Sequence, residues 1–304
     1  MTADYSIGTP GKPWGEAEKQ AWYQQQSKKR SYGEDVLNRI ETFRERFQVE
    51  QYGELKYHEM YPLYAVRSQR WHSERGTLLV TGGVHGYETS GVHGALAFIE
   101  RDMEMLSEQL NIVVLPCISP WGYETINRWN PAAQDPNRSF KNGGETPEAA
   151  QAMAYVNTLN TQLVMHIDLH ETTDTDNSEF RPALAARDGV THDNWDIPDG
   201  FYLVGHAKKP EVDFQQSILA AVEQVTHIAP ADKENRLIGE PVVVPGLILY
   251  DGSNAGLCMG LSSAPYVSTT EVYPDSPRAT AAECVNAQVA AILGGVRYIL
   301  SHSV

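Results

Sequence analysis

Short apolar runs alternate with stretches of helical period through most of this chain, and that alternation constrains the fold more than any other feature. Leu78 to Val80, Asn111 to Pro116, Leu163 to His170, Phe201 to His206, Pro241 to Tyr250 and Ser268 to Tyr273 read as strands. Between them Val92, Leu96, Ile99 and Met103 mark a helix starting near Ser90, and Thr146 with Pro147 supplies the cap and first-turn proline of another through about Leu159. Helices are also predicted from about Pro210 to His227 and from Pro277 through Ser301, the last with Val285, Val289, Ile292 and Val296 on one face. Strands that look buried on both faces and alternate with helices predict an α/β fold: a single domain with a central mixed, largely parallel sheet flanked by helices.

A chain of 304 residues can bury a full core, and no linker or internal repeat divides it. Residues 1–50 read as an N-terminal arm and helix packed on that core, with helix formers from Glu16 to Arg46 and no visible catalytic group; residues 51–304 form the domain that carries the chemistry. Within it Leu55 to Ser68 reads as one strand before the polar turn Gln69 to Gly76. The segment from Glu171 to Gly200, rich in Asp, Asn, Thr and Pro, reads as a long loop.

The formal charge of −15 repels phosphate backbones and anionic lipid, and there is no basic run beyond Lys28, Lys29 and Arg30. Nucleic acid and membrane partners are therefore not expected, and a small soluble substrate is. The first twenty residues lack the pattern of a secretory signal, and Cys117, Cys258 and Cys284 form no CxxC pair. Both features predict a cytoplasmic protein with packed thiols.

The groups capable of chemistry gather at predicted strand ends, where open α/β sheets place their ligand sites. His85 and Glu88 lie in TGGVHGYETSG directly after a strand; His170 closes another; Asp135, Asn137 and Arg138 follow Asn111 to Pro116 at some distance; Glu271 ends the lead-in of a fourth. Hydrolytic zinc takes three protein ligands from His and carboxylate and keeps one position open, a count that His85, Glu88 and His170 meet. There is no HExxH helix to bring its own base, so Glu271 is the natural candidate.

These residues resemble the zinc carboxypeptidase superfamily, including its aspartoacylase and succinylglutamate desuccinylase branch. The likeness spans about residues 75–300 and rests on GGVHGYE, SPWGYETINR followed by DPNRSF, DLHE and TTEVY, in that order. The resemblance implies that His85, Glu88 and His170 bind one Zn2+ per chain, and that Asp135 fixes the tautomer of His85. It implies Glu271 as general base and acid, and Arg128 facing the carbonyl oxygen of the scissile amide. Asn137 and Arg138 would hold a free substrate carboxylate, and Tyr250 would cap the substrate. The implied activity is a metallocarboxypeptidase acting on small peptides.

Each residue also has a plainer reading. Arg128 could pair with Glu124, four residues earlier; Tyr250 could be a strand aromatic; His166, Asp168 and His170 share one strand face and could hold a second metal or support the first. Glu171 is a reserve base only, since it points to the opposite strand face. The interval between Glu88 and His170 is shorter than in digestive carboxypeptidases, and DLHET is closer to the acyl-amino-acid hydrolases. An N-acyl amino acid amidohydrolase is therefore the alternative activity, with a non-catalytic metal-binding protein as a third. Leu257, at the position that reads the terminal side chain, would favour apolar or aromatic residues, with Asp251 and Glu240 nearby to reverse that preference.

Overall fold

The computed structural model of the chain describes residues 5–193 and 195–302. In chain order it forms α1 (Glu16–Gln24), α2 (Asn38–Thr42), β1 (Gln48–Lys56), β2 (Met60–Arg67), β3 (Thr77–Gly82), α3 (Thr89–Arg101), α4 (Met103–Leu106), β4 (Asn111–Leu115), α5 (Pro120–Thr125), α6 (Pro147–Thr158) and β5 (Leu163–Glu171). Then follow α7 (Arg181–Asp188), β6 (Tyr202–His206), α8 (Val212–Val222), a two-stranded ribbon of β7 (Arg236–Leu237) and β8 (Glu240–Pro241), β9 (Leu247–Tyr250), α9 (Gly252–Ala255), β10 (Tyr266–Val272) and α10 (Ala281–His302).

Eight strands make one sheet in the order β1-β2-β4-β3-β5-β10-β6-β9. β4, β3, β5 and β10 run parallel, as does β9 with β6; β1, β2 and the β6 to β10 junction are antiparallel. The sheet is thus mixed and largely parallel at its centre.

The two-residue period of the strands sorts side chains between two cores. Leu78, Val80, Ile112, Val114, Met165 and Ile167 join the core that also contains α3, α8 and α10 residues. Leu79, Val113 and Leu115 point the other way, onto Ala149, Ala152 and Val156 of α6. On β5 the same alternation puts Met165, Ile167 and Leu169 into the first core. His166, Asp168 and His170, all buried, therefore share the opposite face. α10 is long and apolar enough to cross a membrane, with a mean hydropathy of 1.3. Its apolar side chains Ala287, Ala291, Ile292 and Val296 are instead packed in the core beside α3 and α8.

Several local expectations differ from the structure. The strand predicted from Leu55 to Ser68 is the hairpin β1/β2, broken at the polar Tyr57–Glu59, and β1 already begins at Gln48. The helix expected across Glu16 to Arg46 is interrupted after Gln24, where Lys29 and Arg30 N–H groups turn to the Glu124 carbonyl instead. Trp14, Trp22, Val36, Ile40 and Phe43 of this N-terminal region all enter the core shared with α3 and α10. The helix from Pro210 ends at Val222, short of His227. Most consequential, the loop expected from Glu171 to Gly200 contains α7, preceded by a single wide turn over Asp176–Phe180. The three cysteines are free and buried.

Candidate metal centre

The turn after β3 has little room. Gly83 has φ +61, the left-handed region that glycine enters without strain, and a Cβ on Gly86 would lie 2.0 Å from the Tyr123 backbone nitrogen. With α5 packed this close, His85 is carried back over the sheet to face the end of β5. Glu88 is the N-cap residue of α3, yet its side chain caps nothing there. Glu171 does that work: its carboxylate accepts the N–H groups of Thr89 (2.9 Å) and Ser90 (2.7 Å). The Glu88 carboxylate is thereby free to turn toward the imidazoles.

One oxygen of Glu88 lies 2.7 Å from His85 Nδ1 and the other 2.7 Å from His170 Nδ1. The two rings stand nearly perpendicular, 79° apart with centroids at 4.9 Å. One donor atom from each of the three residues lies within 4.8 Å of the others. Among the described residues no other group of three His, Cys, Asp or Glu donors converges in this way, so His166 and Asp168 do not make a second such cluster.

Proton positions decide what this cluster can hold. His85 Nε2 sits 2.9 Å from Asp135 Oδ1, and His170 Nε2 sits 2.7 Å from Asp168 Oδ2. Carboxylates only accept, so both Nε2 atoms carry hydrogen, and in neutral imidazoles both Nδ1 lone pairs face Glu88. Four lone-pair-bearing atoms cannot crowd together in a buried site without positive charge among them. Burial alone would lower His170, but the Glu88 and Asp168 charges raise it well above its usual value. Burial opposes ionisation of Glu88, and the paired imidazoles nevertheless hold it at about 2. Two imidazole nitrogens and a carboxylate, each with its far side anchored, fit a divalent first-row ion.

The cluster opens into a cavity of about 570 Å³ that also receives Arg128, Asn137, Arg138, Tyr250 and Glu271. Glu271 is the register partner of His170 on β10. Its carboxylate accepts the Thr172 hydroxyl at 2.9 Å, and Thr172 in turn lies 2.8 Å from the Tyr202 hydroxyl. Burial first, and then the charge of Glu88, pushes Glu271 up to about 8. Arg128 does not pair with Glu124, which is taken by Lys28, Tyr61 and the Tyr32 N–H. It binds Asp135 instead (Nε to Oδ2, 3.1 Å), so Asp135 bridges Arg128 and His85. Burial works against the Asp135 charge, but Arg128 and His85 keep its carboxyl well below the usual range.

The Asn137 side-chain oxygen accepts the Cys258 N–H at 2.7 Å, which fixes the amide with its N–H donors free to offer a ligand. The Arg138 guanidinium donates from Nη1 to the Asn137 carbonyl at 2.7 Å. Leu257 lines the same cavity. Thr172, Tyr202, Arg181, Leu184 and Arg187 also line it, and none is anticipated from the sequence. For α7 a signal exists: Arg181, Leu184 and Arg187 recur every third residue, Pro182 follows Arg181, and Gly189 stands where a helix stops.

This sheet with its flanking helices has counterparts among solved structures. A protein from Shewanella amazonensis, provisionally described as a metallopeptidase, superposes with a TM-score of 0.65 at 20% identity, covering 90% of this chain and 98% of that one. A second from Shewanella denitrificans, described likewise, gives 0.63 at 18% identity over 86% and 88%. A metallo-carboxypeptidase from Pseudomonas aeruginosa in complex with (2-guanidinoethylmercapto)succinic acid gives 0.60 at 17% over 88% and 68%. At these identities the likeness is one of fold. No curated protein sequence gives a significant match. The fold is carboxypeptidase-like. Residues 74–192 match the family model of the succinylglutamate desuccinylase/aspartoacylase catalytic domain, a span that holds His85, Glu88, Asp135 and His170.

Proposed function

We propose that the protein is a zinc-dependent metallocarboxypeptidase that hydrolyses the C-terminal amide bond of small peptides. The observation that carries this reading is the convergence of His85, Glu88 and His170 within 4.8 Å, beside a cavity that also receives Glu271 and Arg138. Those three residues would hold one zinc ion per chain, which would supply a Lewis acid and lower the pKa of water from 15.7 toward about 7. The Glu271 carboxylate takes the proton from the attacking water at its free oxygen and returns it to the leaving nitrogen. Arg128, fixed by Asp135, offers its guanidinium to the negative charge developing on the carbonyl oxygen. Arg138 receives the substrate's free carboxylate, with Asn137 adding amide donors and Tyr250 closing over the bound end. Leu257 in the cavity wall supports a preference for apolar terminal side chains.

The match over residues 74–192 favours a second reading, an N-acyl amino acid amidohydrolase using the same groups. Both substrates present a free carboxylate to Arg138. They differ in what lies on the acyl side of the scissile bond.

A substrate panel separates the two. Dipeptides with free C-termini should turn over while their C-terminal amides do not. Turnover of acetyl or succinyl amino acids without any peptide cleavage replaces the first reading by the second. Zinc binding without turnover of any panel member removes both in favour of a metal-binding protein.

A further inference from the structure

Behind His170, on the side turned away from Glu88, a row of polar side chains runs back into the protein without reaching the cavity. His166, Asp168 and His170 alternate along β5, and β3 places Thr81 directly opposite Asp168. Thr81, His166 and Asp168 are each fully buried. Asp168 gives one carboxylate oxygen to His170 Nε2 at 2.7 Å and the other to the Thr81 hydroxyl at 2.6 Å. Thr81 Oγ1 also lies 3.0 Å from His166 Nε2 and 3.5 Å from the Cys258 thiol.

The hydrogens of this row can be assigned. A threonine hydroxyl has one proton and two lone pairs, and the Asp168 carboxylate can only accept. The Thr81 proton therefore goes to Asp168, and Thr81 Oγ1 must accept from His166 Nε2 and the Cys258 thiol. His166 is then the Nε2–H tautomer, and its Nδ1 is a bare lone pair. Nδ1 of His166 is indeed a buried polar atom with no hydrogen-bond partner among the described residues. Native cores rarely tolerate an orphaned acceptor, because its desolvation costs free energy with nothing gained in return at that atom. The arrangement does accomplish one thing: it directs a hydroxyl at the free oxygen of the carboxylate that holds His170.

We infer that Thr81 is a positioning residue for the metal ligand His170. It acts through Asp168, and His166 fixes the direction in which Thr81 donates. Without the hydroxyl, Asp168 keeps its bond to His170 but loses the bond that sets its own rotation, and the imidazole loses its fixed aim. This inference rests on the metal reading of the His85, Glu88 and His170 cluster, and concerns how tightly that cluster binds.

The experiment is a zinc competition titration against a chromophoric chelator, with the visible spectrum of the cobalt-loaded protein as a second readout. Thr81→Val keeps the shape and removes the hydroxyl; Thr81→Ser keeps the hydroxyl and removes the methyl. Loss of a partner behind a metal ligand weakens affinity typically about 10–100-fold. Thr81→Val should fall in that range and shift the cobalt spectrum, and Thr81→Ser should restore both. Wild-type affinity and spectrum in Thr81→Val overturn the inference, as do equal losses in the two variants, which would mark simple packing. Should Thr81→Val not fold, nitrogen-15 NMR of the wild-type protein decides: His166 must carry its proton on Nε2, and a proton on Nδ1 overturns the inference. Failure of the wild-type protein to bind zinc or cobalt would instead defeat the metal reading itself.

Discussion

The two walls of the cavity are built by different rules. On the sheet side, His85, Glu88 and His170 are only 1–2% exposed, and each donor is backed: His85 by the Asp135 carboxylate, His170 by the Asp168 carboxylate and Glu88 by the Glu171 N–H of β5. On the opposite side, Arg138 is exposed and its guanidinium is bonded to the neighbouring Asn137 carbonyl, Arg187 lies in the last turn of a short helix, and Tyr250 stands half-buried at a strand end. Arg187 is steadied by stacking on Trp129 at 4.4 Å and by the Ala133 carbonyl at 2.9 Å. The first wall holds its atoms by closed hydrogen-bond networks inside the core. The second holds its groups from short segments at the surface, where change in shape is least costly. Chemistry and recognition are thus assigned to separate mechanical supports, and variants on one wall should leave the other's property intact.

The largest effect belongs to the metal wall. His170→Ala removes one of three donors and leaves Glu88 and Asp168 buried without the imidazole between them. Zinc content by emission spectroscopy should fall far below one ion per chain, and turnover should disappear with it. Retention of stoichiometric zinc would move the metal site elsewhere.

Glu271→Gln comes next. It keeps the volume and the Thr172 contact but removes the base, so kcat should fall about 10²–10⁴-fold while bound zinc is unchanged. Equal turnover in the variant would remove Glu271 from the reaction and leave Glu171 as the remaining carboxylate at the strand end.

Protonation tests how far the sheet-side network belongs to the fold. Burial lowers His166 from 6.5 to about 4. Its neutral form is the one the folded protein keeps, so this contribution to stability is complete above pH 6.5. It is lost as pH falls from there toward 4, where the unfolded chain binds a proton that the folded chain resists. At about 1.4 kcal/mol per pH unit the full loss is on the order of 3–4 kcal/mol. Urea unfolding across that window should show the slope, and the His166 ring signals should stay neutral until near pH 4. Titration of those signals at the ordinary histidine value would contradict the buried setting.

How much of this was legible in the sequence follows the same division. The sheet wall is written in short motifs: glycines beside His85, an HxxE spacing, and alternation along Leu163 to His170 all act locally, so sequence alone places them at strand ends. Thr81 opposite Asp168 was not legible, because strand register is fixed by pairing across distant segments. The recognition wall is harder. Its helix α7 is eight residues long with flanks rich in Asp, Asn and Thr, and composition masked the proline near its start and the glycine at its end. The pairing of Arg128 with Asp135 rather than Glu124 was likewise a tertiary outcome: Lys28, from the N-terminal region, occupies Glu124.

On the recognition wall, Arg138→Lys keeps the charge and loses the planar fork. A hydrogen bond to a charged partner is worth about 1.5–3 kcal/mol, so KM should rise roughly 10–100-fold with zinc content and kcat little changed. A matching fall in kcat at constant KM would place Arg138 nearer the reacting atoms than the cavity geometry does.

The smallest effect concerns the support of α7. Gly189 ends that helix at φ +66, and a Cβ there would lie 2.6 Å from the Pro13 nitrogen of the N-terminal arm. The next residue of the arm, Trp14, donates its N–H to the Arg187 carbonyl at 2.8 Å, so arm and helix end are tied at adjacent points. Gly189→Ala places an L side chain in the left-handed region, at a cost of about 1–2 kcal/mol, and presses on the arm as well. The expected result is a modest drop in unfolding free energy and a few-fold rise in KM, because Arg181 and Arg187 lose their backing while the sheet wall does not move. Zinc affinity measured on the same variant is the sharper reading: if it falls in step with KM, the two walls are one mechanical unit and their separation is wrong.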